Sequence, residues 1–216
     1  MDIDLARDKM VSQQLRTYEV LDRRVLDLFE RLQREDFVPS AYRTMACADM
    51  QIPLADGQMM MTPIVEGRLL QALGLQGDER VLEIGTGSGF LTACLASLAR
   101  SVVSLDIRED LLAGADAALR DAGISNVVLQ AQDAFSLSSP DAYDVVVVSG
   151  ALPRLHRPFL EALRPGGCAF LIVGEAPVME ARLYHRCDVD QWSQESLFES
   201  VIPMLDGAPG ATGFVF

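Results

Sequence analysis

The 216-residue chain carries a formal net charge of −13, and half of its residues are hydrophobic. That much apolar material supports a folded core and excludes wholesale disorder. The acidity argues against sequence-independent nucleic-acid binding, which needs cations against phosphates, and against docking on anionic lipid. No apolar run reaches the ~20 residues that span a bilayer. The opening residues MDIDLARDKM lack a basic region followed by an apolar core, so a cytoplasmic protein is expected. Cys47, Cys94, Cys168 and Cys187 are scattered without CxxC spacing. They read as reduced thiols, and no metal site is expected.

Taken in chain order, the pattern forms one domain, 1–216, in three zones: 1–63, 64–175 and 176–216. In the first zone, Met10, Val11 and Leu15 suggest an amphipathic helix. Asp22 can cap a second helix whose apolar stripe is Val25, Leu26, Phe29 and Leu32. The stretch from Tyr42 to Pro63, with Pro53, Gly57 and Pro63, reads as a loop crossing the surface.

In the second zone strands and helices alternate. The strands are expected at Arg80–Ile84, Ser101–Leu105, Asn126–Gln130, Asp144–Ser149 and Cys168–Val173. Helices fall between them at Leu91–Leu98, Glu109–Asp121 and Pro158–Leu163. The strands are short and almost continuously apolar, as parallel strands buried on both faces are. Such alternation means βαβ units. In the third zone, Ala181–Cys187 and Ser196–Met204 read as an antiparallel pair on the sheet edge, separated by a polar stretch at Asp188–Gln194. The fold class is therefore α/β, Rossmann-like, with a mostly parallel sheet.

The strongest chemical signal is Val81-Leu82-Glu83-Ile84-Gly85-Thr86-Gly87-Ser88-Gly89-Phe90, a strand running into three alternate glycines and then a helix. Glycines let backbone turn sharply and approach a ligand, and a helix N-terminus offers N–H groups. The dinucleotide fingerprint is GxGxxG; here the spacing is GxGxG after an acid, which speaks against a dehydrogenase. Glu83 suits a cationic ligand better than a pyrophosphate. S-adenosylmethionine, with a sulfonium and an ammonium, fits that description.

Asp106 ends the next strand, followed by Ile107, and a carboxylate there can accept the ribose hydroxyls of an adenosine. Gln132-Asp133-Ala134 follows the third strand, where an Asp can accept from the adenine amino group. All three sites fall at carboxyl ends of successive strands, the expected crevice of an open α/β sheet. Leu163-Arg164-Pro165-Gly166-Gly167 reads as a helix end, a turn and a strand start.

Together VLEIGTGSGF, Asp106, Asp133 and LRPGG resemble the class I S-adenosylmethionine methyltransferases. The segments MVSQQLR (10–16), DFVP (36–39), DMQIPL (49–54), DGQ (56–58) and Pro63 narrow this to a resemblance to the protein-L-isoaspartate O-methyltransferases. The resemblance implies a seven-stranded sheet with an antiparallel strand near the C-terminus and a small N-terminal helical cap. It makes 1–63 the cap and substrate-side loop, 64–175 the cofactor core and 176–216 the C-terminal strands. It further implies carboxyl methylation of isoaspartyl residues in proteins or peptides, with S-adenosylhomocysteine as by-product.

One departure stands out. Where the family reads Gly-Gln-Thr-Ile-Ser, this chain has Gly57-Gln58-Met59-Met60-Met61. Met61 occupies the position of the family's active-site serine, and a thioether cannot donate a hydrogen bond. Thr62 would substitute only by a shift of the loop. Asp56 stands where histidine or another aromatic is common, and would repel an anionic acceptor if it faced the site. Met59, Met60 and Met61 read either as fillers of irregular gaps or as an apolar wall for another acceptor. Three functions compete: carboxyl methylation of a protein or peptide, methylation of a different and small apolar acceptor, and non-catalytic binding of S-adenosylmethionine. Isoaspartyl activity is expected to be weak or absent.

Overall fold

The computed structural model describes residues 2–189 and 191–210. Helix α1 (Ile3–Lys9) starts where the Asp2 carboxylate accepts from the Asp4 N–H. It runs on through a π-helical turn, Met10–Leu15, that buries Met10, Val11 and Leu15. Helix α2 (Arg23–Arg31) is capped by Asp22, whose carboxylate accepts from the Arg24 N–H, and buries the expected Val25, Leu26 and Phe29.

The stretch read as a surface loop is more ordered than its prolines suggested. Strand β1 (Ile52–Pro53) pairs antiparallel with β2 (Met59–Met60). Ile52, Met60 and Met61 are buried in the core. Pro63, expected to close a loop, instead opens helix α3 (Pro63–Leu73), with Thr62 as its N-cap. Proline is well suited to a first helical turn, where its missing N–H would have no partner. This helix was not anticipated.

The core then follows as β3 (Arg80–Ile84), α4 (Phe90–Leu98), β4 (Ser101–Asp106), α5 (Glu109–Asp121), β5 (Val127–Ala131), β6 (Tyr143–Leu152), α6 (Arg157–Glu161), β7 (Leu163–Glu175), β8 (Val178–Asp188) and β9 (Gln191–Glu199). The seven strands of this sheet run in the order β5-β4-β3-β6-β7-β8-β9. All neighbours are parallel except β8, which is antiparallel to both β7 and β9.

Three boundaries differ from expectation. The helix expected over Pro158–Leu163 is shorter, and Leu163 already pairs with Tyr143 as the irregular start of β7. Leu163–Gly167 is therefore strand, not a helix end. The polar stretch Asp188–Gln194 is mostly strand, because β9 begins at Gln191 and stops at Glu199. Met204 instead forms an isolated parallel bridge with Ala151. Asp190 and the last six residues of the 176–216 zone lie outside the described residues.

Two buried clusters cover the two sheet faces. Val81, Val145 and Val147 pack with α3, α4 and the N-terminal helices; Leu82, Ile84, Val146 and Val148 pack with α6. The period of two along β3 puts neighbours on opposite faces. The chain leaves β3 with β4 and β5 on one side and β6 on the other, so a crevice opens at the carboxyl ends of β3 and β6. Among the described residues no helix is long and apolar enough to cross a membrane.

Candidate active site

A cavity of about 650 Å³, counting its open mouth, lies at this crevice. Its walls include Gly85, Gly87, Asp106, Ile107, Asp133 and Ala134, with Gln58 and Met59 on the facing side. Gly85 and Gly87 adopt φ of 94° and 54°, in the region that favours glycine. A Cβ at Gly85 would collide with the Ser149 Oγ. Gly89 serves a different purpose, because a Cβ there would press on Ala115 of α5 at 2.9 Å. It permits helix packing rather than ligand approach.

The Asp106 carboxylate is fixed by two backbone donors: the Gly87 N–H to Oδ2 at 2.9 Å and the Arg108 N–H to Oδ1 at 3.0 Å. Each oxygen retains acceptor capacity, and the residue lines the cavity. Asp133 is exposed at the cavity edge, and its Oδ1 accepts from the Phe135 N–H at 2.9 Å. An adenosine carries donors that match both carboxylates.

Glu83 is placed differently from the expectation that it faces a ligand. It is fully buried on the α4 side of β3, one layer behind the glycine loop. Its Oε2 accepts from Thr92 Oγ1 at 2.5 Å and from Ser104 Oγ at 2.6 Å. The Ser104 hydroxyl is also 2.6 Å from that of Thr86. Burial pushes the carboxyl up to about 8, with the Thr92 and Ser104 bonds opposing and the charges of Asp106 and Glu66 adding to the rise. The alternation that buries Val81 put Glu83 on this face; its Oε1 has no partner among the described residues. Glu83 thus supports the glycine loop from behind and lines neither cavity.

A second recess of about 310 Å³ opens on the other side of the loop. Leu54, Met59, Gly85, Gly87 and Ser149 belong to both cavities. Met60, Met61, Glu66, Thr86, Ser88 and Leu91 complete the recess. Met60 and Met61 are also core residues, so they fill space in the core as well as lining the recess. Thr62 lies in neither cavity wall. Its hydroxyl accepts from the Val65 N–H at 3.4 Å as the α3 cap.

Asp56 is exposed and sits in an ion pair with Arg108, which also pairs with Asp110. Its charge is thus compensated, and the repulsion expected of a lone carboxylate is offset. Gln58 Nε2 donates to Asp206 Oδ1 at 2.8 Å. These two links join the 54–59 segment to opposite walls of the larger cavity.

Several lining residues escaped sequence reasoning. Ser149 ends the apolar run of β6 and bonds the Gly85 carbonyl at 2.6 Å. The strand-end rule that found Asp106 would have found it as well. Glu66 was hidden because α3 was not anticipated. Pro203, Leu205 and Asp206 carry no local signal.

The model of the protein-L-isoaspartate(D-aspartate) O-methyltransferase family matches residues 6–205. The chain belongs to this family. It is 44% identical to the protein-L-isoaspartate O-methyltransferase of Anaeromyxobacter dehalogenans (strain 2CP-C) over 73% of this chain and 76% of that one. It is 31% identical to protein-L-isoaspartate O-methyltransferase 2 of Pelobacter propionicus over 94% and 92%. A beta-aspartate methyltransferase structure from Plasmodium falciparum, solved with S-adenosyl-L-homocysteine, superposes with a TM-score of 0.78. It covers 92% of this chain and 97% of that one at 14% identity, so it supports the fold alone. The isoaspartyl methyltransferase resemblance and the class I methyltransferase fold are therefore borne out, and the chain is an S-adenosylmethionine-dependent methyltransferase by family.

Proposed function

We infer that this chain binds S-adenosylmethionine in the larger cavity and methylates an acceptor in the smaller recess, with weak or no activity on isoaspartyl carboxylates. The family points to carboxyl methylation of a protein or peptide. The observation that carries the narrower reading is the buried Met61 thioether at the family's serine position, with Thr62 committed to capping α3.

Bound cofactor supplies an electrophilic methyl on a sulfonium. Gly85 and Gly87 clear its path, Asp106 accepts the ribose hydroxyls, and Asp133 accepts from the adenine amino group. Leu54 and Met59, shared by the two cavities, would exclude water from their junction, where displacement depends on positioning and desolvation. Loss of one oriented donor in such a site costs about 10²–10³ in rate.

The test is methyl transfer from labelled S-adenosylmethionine to an isoaspartyl peptide, beside a competent family member. Cofactor binding with a rate at least a hundredfold below the control is expected. A rate within about tenfold, only ~1.4 kcal/mol of barrier, would refute the narrower reading.

A further inference from the structure

From Gly85 to Gly87 the loop carries a single side chain, that of Thr86, and this residue is 3% exposed. Its hydroxyl lies 2.6 Å from that of Ser104, which in turn bonds Glu83 Oε2. In the sheet Glu83 stands directly opposite Ser104. Ser104 and Asp106 are two residues apart on β4, so their side chains share a face. Thr86 and Gly87 are consecutive, and the Gly87 N–H donates to Asp106 Oδ2 at 2.9 Å. Loop and β4 are thus joined at two adjacent points, one between side chains and one from backbone to carboxylate.

The hydroxyl protons give this row a direction. Glu83 Oε2 accepts from Thr92 and from Ser104. Ser104 has one proton and commits it there, so its oxygen accepts from Thr86. Every hydroxyl in the row therefore points its proton toward Glu83. A neutral carboxylic acid serves this arrangement, because one carbonyl oxygen offers two lone pairs to two donors. Burial favours the neutral form, and the carboxylates of Asp106 from β4 and Glu66 from α3 favour it further. Glu66 is itself buried against Arg34, whose Nη2 donates to the Met61 carbonyl at 2.6 Å.

We propose that Glu83 is a positioning residue of the cofactor site, which holds Gly87 against Asp106 by way of Ser104 and Thr86. This rests on the reading that the larger cavity holds the cofactor. Glycine backbone is the least restricted of all, so Gly85 and Gly87 bring no preference of their own for the turn they make. The Thr86 anchor removes that freedom. It keeps the Gly87 N–H on Asp106, whose remaining lone pairs stay available to the cavity. Thr92, in the first turn of α4, ties the far end of the loop to the same carboxyl group. Neither Glu83 nor Ser104 lines either cavity, so an effect of either on the cofactor travels through the loop.

The experiment measures S-adenosylhomocysteine binding to the full chain by calorimetry, and the backbone amides by NMR. Ser104→Ala and Thr86→Val each interrupt the row. Each should weaken binding about three- to tenfold, the equilibrium effect of one hydrogen bond. Each should also move the Gly87 amide proton upfield as its bond to Asp106 lengthens. The Gly85 amide, bonded to the Leu105 carbonyl at 2.8 Å, should stay in place. The double variant should bind within about twofold of the weaker single one, because links in one row do not add. Glu83→Gln keeps an uncharged acceptor and should bind within about twofold of wild type, whereas Glu83→Leu should match Ser104→Ala. A packing defect alone would be neither rescued by the amide nor saturated in the double variant. Four results would each overturn the assignment. They are binding within about twofold of wild type by Ser104→Ala and Thr86→Val, losses that multiply in the double variant, an unmoved Gly87 amide, and Glu83→Gln binding as weakly as Glu83→Leu. Melting curves identify a variant that has unfolded, and Thr86→Val, the closest in shape, then decides. Failure of the wild type to bind S-adenosylhomocysteine would instead overturn the cofactor reading, and the assignment with it.

Discussion

The two cavities flanking the glycine loop are built from different material. The larger is made of strand ends: Gly85 and Gly87 leave β3, Asp106 ends β4 and Asp133 follows β5, all in register on one parallel sheet. The smaller is made of a short hairpin and a helix start, pinned by a single buried arginine from the N-terminal cap. Sheet hydrogen bonds hold the strand ends of the first whatever its lining side chains do. The second depends on a few side chains, which leaves its chemistry free to diverge within one family.

The sharpest way to break that contrast is Arg34→Met. Leaving Glu66 buried without a partner should cost about 3–5 kcal/mol, read as a fall in urea midpoint. The Arg34→Met/Glu66→Met pair should recover most of it, because a buried ion pair is often replaceable by apolar side chains. Met61→Ser should cost about 2–4 kcal/mol through a cavity in the core, and should return little isoaspartyl activity, because Met59, Met60 and Glu66 remain. Recovery of the competent relative's rate in a peptide assay would show that one hydroxyl was the whole defect.

On the larger cavity, Asp106→Ala should weaken cofactor binding by about 1–3 kcal/mol, measured by calorimetry, with the fold intact. Equal affinities would remove Asp106 from the site. A smaller effect concerns pH. The folded Glu83 carboxyl, at about 8, lies above its ordinary value of 4.5. The native state therefore holds a proton that the unfolded chain has released, and the stability it brings is lost as pH rises from about 4.5 through 8. Thermal melts should show Glu83→Gln losing less stability than wild type between pH 6 and pH 9. Parallel curves would place no titrating proton on Glu83. Asp56→Ala, which removes an exposed ion pair, should change stability by less than about 1 kcal/mol.

The same contrast explains what could be read from the sequence. The five parallel strands and the Asp106 and Asp133 positions were legible because buried strands carry continuous apolar runs and ligands sit at their ends. Glu83 was recognised as special, but its direction was not, since the β3 alternation that turns it toward Thr92 was not applied to it. The 42–63 segment misled because prolines and a glycine outweigh two-residue strands in any local pattern. Helix α3 was lost with it, and Glu66 with α3. Arg34 gave no signal at all: an arginine thirty-two residues from its carboxylate partner looks like any surface charge until the chain folds.

The links from Asp56 to Arg108 and from Gln58 to Asp206 bear on turnover. Both are polar and solvent-exposed, and together they tie the 54–59 segment across the mouth of the larger cavity. Only the Asp56–Arg108 link is an ion pair, and exposed ion pairs contribute little and weaken with salt. The Asp56–Arg108 link should therefore loosen as ionic strength rises, and if a nucleoside product leaves by this mouth, its departure should quicken with salt.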